Sequence, residues 1–358
     1  MVLRDPRLFA ALALSGLVAC VPGAPSPDLD GNGRVGPEDV EIILACSGLA
    51  PGTAGCARAD TDGDGVIDAN DLFSLAEDYG RLVCNGSAKL CERRYDQVVH
   101  PTSHNAFSSW ARFSLYFNQW DEIPAQLEHG IRGLMLDAWP FDGNGNATID
   151  PGESYLCHAD CGWARRPLDE GLAELRGFLE ARPGEVLTII FESYLPPSEI
   201  AAAFERSGLS PYALEHAPGT PWPTLGEMIG SGRRLVVLSD SAGAGSPAWY
   251  VPVWSVASET PFTAATRDDL GCAPLRGDPA NELFVLNHFL TRNTSVPAEA
   301  ALTNETSFLV DRARRCWRER NRLPNFPTVD FATTGGAVEA SRVLNDDFAR
   351  YGGAPPPP

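Results

Sequence analysis

The sequence predicts an α/β fold: a (β/α)8 TIM-type barrel with irregular crossovers, behind a small all-α calcium-binding module. Three observations predict it. From about residue 92 onward, short apolar runs alternate with amphipathic stretches, the pattern of strands feeding helices. Nearer the N-terminus, two twelve-residue Asp-rich patterns repeat 32 residues apart. The 358 residues also exceed one ordinary domain and suffice for a barrel plus an appendage.

Taken in order, the chain opens on a targeting segment, residues 1–20. Arg4 and Arg7 precede an apolar run over 8–19 that is too short for an ordinary spanning helix. The run ends Leu17-Val18-Ala19-Cys20, which resembles the bacterial lipobox, although Asp5 is unusual in such a leader. That resemblance implies an exported lipoprotein, acylated at Cys20 and anchored to a membrane on its periplasmic or cell-surface side. Eight cysteines remain, an even number behind an export signal, which points to disulfides. Connectivity is not fixed by sequence; the expected pairs are 46–56, 84–91, 157–161 and 272–316. The spacing at 157–161 could also suit a metal, but no second cysteine pair or histidine cluster completes such a site.

Residues 21–27 form a Pro-rich tether. The first calcium pattern places Asp28, Asp30, Asn32, Arg34 and Asp39 at positions 1, 3, 5, 7 and 12, with Gly33 sixth. The second places Asp60, Asp62, Asp64, Val66 and Asp71 likewise, with Gly65 sixth. Alternate residues converge oxygens on one ion, position 7 through its backbone carbonyl, and the glycine permits the sharp turn. Val35 and Ile67, each at position eight, are expected to pair the loops through a short strand. Helical patterns follow at 40–45 and 72–79. Asp at position twelve and the lack of an entering helix make these EF-hand-like repeats, over 28–82, similar to a dockerin. A dockerin implies a cohesin-type protein partner, although such pairs also serve as calcium-stiffened spacers.

The second domain, 92–358, carries strand candidates at 98–102, 133–139, 155–158, 186–192, 235–239, 250–254, 283–287 and 328–331. Helices are expected at 123–129, 168–181, 198–207, 225–229, 306–320 and 336–350, the third started by Pro196-Pro197 and stopped by Gly208. A third calcium-like loop, Asp142, Asn144, Asn146, Thr148, Asp150 and Glu153, interrupts the barrel, with Ala147 in place of the sixth-position glycine.

The net charge of −19, from 47 acidic and 28 basic side chains, argues against non-specific nucleic-acid binding, which needs Lys/Arg on phosphates. Clustered acids favour calcium as partner. His104, Asn105, Asp137, His158, Glu192 and Asp330 stand at or just beyond expected strand ends, where a parallel barrel builds its active site. Two histidines suit removal of one proton and donation of another near neutral pH. Asn, Asp and Glu supply oxygens for one hard cation. Together they describe phosphodiester cleavage by an internal hydroxyl.

From about Tyr95 to Tyr351 the chain resembles the X-domain family of phosphatidylinositol-specific phospholipases C, in its secreted, cysteine-bearing branch. Ser103-His104-Asn105, Leu134-Met135-Leu136-Asp137, Leu156-Cys157-His158, Phe191-Glu192, Asn287-His288-Phe289-Leu290-Thr291 and Val329-Asp330-Phe331 carry the resemblance. It implies His104 as general base toward the inositol 2-hydroxyl and His158 as general acid toward the departing diacylglycerol, through a cyclic phosphate. It further implies Asn105, Asp137 and Glu192 as calcium ligands and Asp330 as the carboxylate that orients His104. Met135 stands where the calcium-dependent branch carries an acid, so calcium should be held more weakly. The other histidines, His100, His129, His216 and His288, read as structural, although His288 lies in a strand-end motif and could line the site. Arg233 or Arg234 could reach phosphate, though surface charge is the commoner role. Trp110, Phe113, Tyr116 and Phe117 could form a lipid-contacting rim or a packed cap. The competing function is a catalytically degenerate barrel that acts as a scaffold while the dockerin-like repeats bind a protein.

Overall fold

The computed structural model describes residues 26–112, 117–145, 150, 152–158, 161–162, 164–291 and 297–357. Cys20 with its leader, most of the 21–27 tether, Phe113, Tyr116, and Asn146 and Thr148 of the third loop lie outside the described residues.

Two helices, α1 (Pro37–Cys46) and α2 (Ala69–Ala76), each follow one Asp-rich loop. The sixth-position glycines adopt left-handed backbone, Gly33 at φ +89° and Gly65 at φ +87°, where an L side chain is strained. Asp28 accepts the Gly31 and Gly33 N–H groups, both at 2.9 Å, and Asp60 accepts those of Gly63 and Gly65 at 2.9 and 3.1 Å. The twelfth residues, Asp39 and Asp71, are fully buried and accept the Leu29 and Thr61 N–H groups at 2.6 Å. Val35, Ile43, Ile67 and Leu75 form a small core, beside the Cys46–Cys56 disulfide. The expected pairing of Val35 with Ile67 does not form. Val35 instead exchanges hydrogen bonds with Arg81 and Gly80, while the Ile67 carbonyl takes the Gly48 N–H, so the chain after α2 supplies the strand partner.

The second domain runs β1 (Thr102–Ser103), α3 (Ile123–His129), β2 (Gly133–Pro140), β3 (Ser154–Leu156), β4 (Arg166–Pro167), α4 (Leu168–Ala181), β5 (Leu187–Ser193) and α5 (Pro197–Ser207). It continues through α6 (Leu225–Ser231), β6 (Leu235–Ser239), β7 (Tyr250–Pro252), α7 (Val253–Val256), β8 (Ala257–Glu259), β9 (Leu283–Asn287), α8 (Pro297–Thr303), α9 (Thr306–Arg320), β10 (Phe326–Val329) and α10 (Ala337–Arg350). Eight strands pair in parallel in the order β7-β6-β5-β2-β1-β10-β9-β8.

Two expectations are corrected here. The ladder is not closed: among the described residues no pairing joins β7 to β8. They are separated by the four residues of α7, far fewer than the dozen or so a parallel crossover requires. The 155–158 segment is not a barrel strand either. It is β3, which pairs antiparallel with the end of β2, and the eighth parallel strand is β8, which sequence pattern missed.

Elsewhere the pattern forms as its physics dictates. β5 is buried over its first five residues, as a strand covered on both faces must be. α4 buries Leu168, Leu172, Leu175 and Leu179, one stripe at helical spacing. Gly208 (φ +71°) caps α5, and Thr224 with Glu227 closes a reciprocal capping box on α6 at 3.1 and 2.8 Å. β1 shrinks to two residues because Pro101 has no N–H for the ladder.

All four expected disulfides form. Four such bonds belong to an oxidising compartment. No helix among the described residues is long and apolar enough to cross a membrane. The N-terminal part rests on the barrel: Asn85 donates its N–H to the Gly184 carbonyl at 3.1 Å and accepts the Val186 N–H at 2.7 Å, just before β5.

Candidate active site

β1 and β10 lie side by side, which places His104 and Asp330 together just past their ends. The His104 Nδ1–H donates to Asp330 Oδ1 at 2.8 Å, which turns Nε2 away from the carboxylate. Each partner is followed by a left-handed residue, Asn105 at φ +45° and Phe331 at φ +51°. Such backbone is costly outside glycine and persists only where the surroundings enforce it. Here they do: the Phe331 N–H donates to the Asn118 carbonyl at 2.7 Å and the Ala106 N–H to the Met135 carbonyl at 2.9 Å.

β2 carries Asp137, and β3 folds back so that His158 meets it. His158 Nδ1 lies 3.1 Å from Asp137 Oδ2 and 3.1 Å from the Asn105 amide nitrogen. The short Cys157–Cys161 disulfide brackets this histidine. The hydrogen bond to Asp137 pushes the His158 imidazole above its ordinary range, and burial pushes the Asp137 carboxyl up. Glu192 stands in register beside Asp137 on β5, and its charge adds to the rise at Asp137. Tyr194 donates to Glu192 at 2.5 Å, which raises the phenol to about 12, and stacks on Trp139 with ring centroids 3.5 Å apart.

The structure thus brings all six expected residues together. His104, Asn105, Asp137 and Glu192 line one cavity of about 110 Å³ at the C-terminal ends of the strands. His158 opens on a neighbouring groove with Phe107, Tyr155 and Arg165. Met135 faces the same cavity without an oxygen to offer.

The three Asp-rich loops contribute no described residue to this cavity. Asp28, Asp30 and Asp39, and likewise Asp60, Asp62 and Asp71, each bring three carboxylate oxygens within 4.8 Å of one another. In the third loop Glu153 gathers the Gly143, Asn144 and Asp150 N–H groups at 3.1, 3.2 and 2.9 Å.

His288 is not in the site: it is fully buried, with Nε2 against the Thr303 carbonyl and Nδ1 facing Arg312, and burial drives its pKa to about 3. Arg234 does not face phosphate, since its guanidinium caps carbonyls at the end of α4 and beyond, those of Leu179, Arg182 and Glu185. Arg233 pairs with Glu215 and the Ala213 carbonyl. Phe117 packs against Trp110, Trp120 and Phe331 as part of a cap.

Several site residues escaped sequence reading. Asn118 donates to Asp330 Oδ1 at 3.0 Å, and buried Gln119 joins the His104 carbonyl (2.6 Å) to the Ala332 N–H (2.8 Å). Phe289 stacks on His104, with ring centroids 3.8 Å apart and planes at 7°. Alternation along an extended chain would have found it, since Asn287 already faces the cavity and residue 289 repeats its side. The far wall holds Asp240, Glu259 and Arg276, the last paired with Glu259 and lying over the Trp254 ring at 4.4 Å.

A sheet of eight parallel strands holds two carboxylate-paired histidines at its C-terminal mouth. The chain belongs to the PI-PLC X domain family, whose model matches residues 90–345. It is 28% identical over 285 residues to PI-PLC X domain-containing protein 1 of Arthroderma benhamiae, covering 74% of this chain and 90% of that protein. It is 31% identical over 265 residues to a PI-PLC X domain-containing protein of Arabidopsis thaliana, covering 66% of this chain and 58% of that one. A third relative, named as a secreted protein of A. benhamiae, is 27% identical over 278 residues, 70% of this chain and 60% of that protein. The chain therefore spans about three-fifths of the latter two. Among solved structures, a mutant of the phosphatidylinositol-specific phospholipase C from Staphylococcus aureus superposes at a TM-score of 0.50 and 12% identity, over 71% of this chain and 93% of that one. That likeness concerns the fold alone.

Proposed function

We propose that the protein is a phospholipase C-like phosphodiesterase that cleaves a phosphodiester lipid with a phosphatidylinositol-type headgroup. The observation that carries this reading is the pair of histidines, each bound through Nδ1 to its own carboxylate, at the mouth of one sheet. His104, oriented by Asp330, takes the proton of the headgroup hydroxyl adjacent to the phosphate. That oxygen attacks phosphorus to form a cyclic phosphate. His158, kept protonated by Asp137, gives its proton to the departing glycerol oxygen. Phe289 and Gln119 hold the His104 ring and backbone in place.

The mouth fits a hard cation in part. Asp137 and Glu192 stand side by side with Asn105 close to Asp137 through His158, while Met135 supplies nothing. Calcium held there by Asn105, Asp137 and Glu192 supplies positive charge against the phosphate when bound. The two N-terminal loops have the oxygen sets of calcium sites, and the third loop, with Asp142, Asn144 and Glu153, is a further candidate. With its secreted relative, its disulfides and a lipobox-like Cys20, the chain reads as an exported lipoprotein held at a membrane. The dockerin-like repeats carry the further reading of a cohesin-type partner.

The test is release of a headgroup from vesicles of defined phosphodiester lipids, with calcium and with chelator, followed by phosphorus NMR. A cyclic phosphate is the expected product. Met135 favours a second reading, a scaffold without turnover; cleavage of no lipid in the panel would establish that reading.

A further inference from the structure

Opposite the mouth, at the N-terminal ends of β1, β2 and β5, the N-terminal part meets the barrel over a cavity of about 190 Å³. That is far more than a single water needs. Its wall comes from three stretches: Arg58 of the N-terminal part, Lys89 and Arg93 of the connecting segment, and Arg132, Arg182 and Arg342 of the barrel. Only three carboxylates, Glu128, Glu185 and Asp346, face the same space. Six cations against three anions leave a lining of net +3, in a chain whose own net charge is −19.

The barrel arginines are neutralised locally, Arg132 by Glu185 at 2.6 Å, Arg182 by Glu128 at 3.2 Å and Arg342 by Glu339 at 2.6 Å. Arg58, Lys89 and Arg93 have no carboxylate within ion-pair distance among the described residues. Arg58 binds the carbonyls of Asp28 and Leu29, and Arg93 that of Asn345 at 2.7 Å, neutral acceptors, with the Asp346 charge offsetting Arg93 only in part. Arg93 is half-buried, and its loss of water pushes the guanidinium down from its ordinary range. Withdrawing a cation from water without a counter-charge is costly unless something pairs with it.

We infer that this seam is a binding site for a small anion of the phosphate-monoester class, held by Lys89 and Arg93 with Arg58 on its N-terminal wall. Charge-assisted bonds from guanidinium and ammonium groups suit a phosphate dianion. Because Arg58 belongs to the N-terminal part and Arg93 is bonded to the Asn345 carbonyl of α10, the bound anion also fastens the N-terminal part to the barrel. The inference stands independently of the activity proposed at the mouth.

The experiment is isothermal titration calorimetry of the full chain with inorganic phosphate and, separately, with inositol 1-phosphate, at low and high salt. His104→Ala is titrated in parallel, because phosphate could also enter the mouth. His104→Ala should retain one equivalent, held more weakly at high salt, and wild type should bind at least that one. Lys89→Ala with Arg93→Gln should weaken binding on the order of tenfold or more. Lys89→Ala alone, a change at an exposed side chain, should weaken it severalfold and guards against a double variant that fails to fold. Equal affinity for the two anions would make the ligand free phosphate; tighter binding of the ester would make it a phosphorylated headgroup. Undiminished binding in Lys89→Ala, binding lost only in His104→Ala, or no binding of either anion would overturn the inference.

Discussion

His158 Nδ1 meets Asp137 Oδ2 at 3.1 Å, and that bond is the largest cause of the imidazole's raised pKa. The sign of the pH dependence follows. A general acid acts while protonated, so with His158 in the proposed role activity should persist below its pKa and be lost as pH rises through it. Asp137→Asn removes the carboxylate and should move this alkaline limb to lower pH, which a pH–rate profile of headgroup release measures. Asp330→Asn keeps the shape of the orienting group and removes its charge, and should cut the rate about a hundredfold or more with little loss of stability. His104, Asn105 and Asp330 were legible as residues because strand-end polar groups are sparse. Asn118 and Gln119 were not, since a polar loop has no periodicity to mark which amide turns inward. His288 drew attention as a histidine, yet the chain's alternation gave the cavity to Phe289 and the core to His288.

The two N-terminal loops are built on the same hydrogen bonds, and their closing carboxylates do the most. Asp39 gathers the Leu29, Asp30 and Gly36 N–H groups at 2.6, 3.1 and 2.7 Å. Asp39→Ala leaves such donors unpaired and should cost roughly 1–3 kcal/mol in the N-terminal part, read from denaturant unfolding of the full chain. Calcium should raise the melting temperature of the wild type, and less so that of Asp39→Ala with Asp71→Ala; a calcium-indifferent melt would count against metal in these loops. The repeats and most helices could be read because spacing and caps are local properties. β8 could not, because the apolar run ends at Trp254 and its three residues, Ala257–Glu259, include Ser258 and Glu259; the four-residue α7 splits β7 from β8. β3 was assigned to the barrel because burial alone does not reveal whether a strand pairs parallel or antiparallel.

Across the whole molecule, the acid limit of stability should be set in part by two histidines buried without charge. Burial drives the pKa of His100 down to about 4 and that of His288 to about 3. Both pKa values lie below that of an unfolded histidine. Each residue's contribution is therefore full above the unfolded value and is lost as pH falls toward the folded one. His100 packs between Tyr95 and Phe326, so His100→Phe should preserve the stacking. It should flatten the dependence of unfolding free energy on pH between about 6 and 4 by about 1.4 kcal/mol per pH unit. In the proposed mechanism His104 removes a proton and His158 supplies one, and leaving-group rescue tests that division of roles most directly. Either residue replaced by Ala should lower the rate on a natural lipid on the order of a hundredfold or more. On a substrate whose leaving group departs without a proton, His158→Ala should recover much of its rate and His104→Ala should not. Equal recovery of the two variants would contradict the assignment.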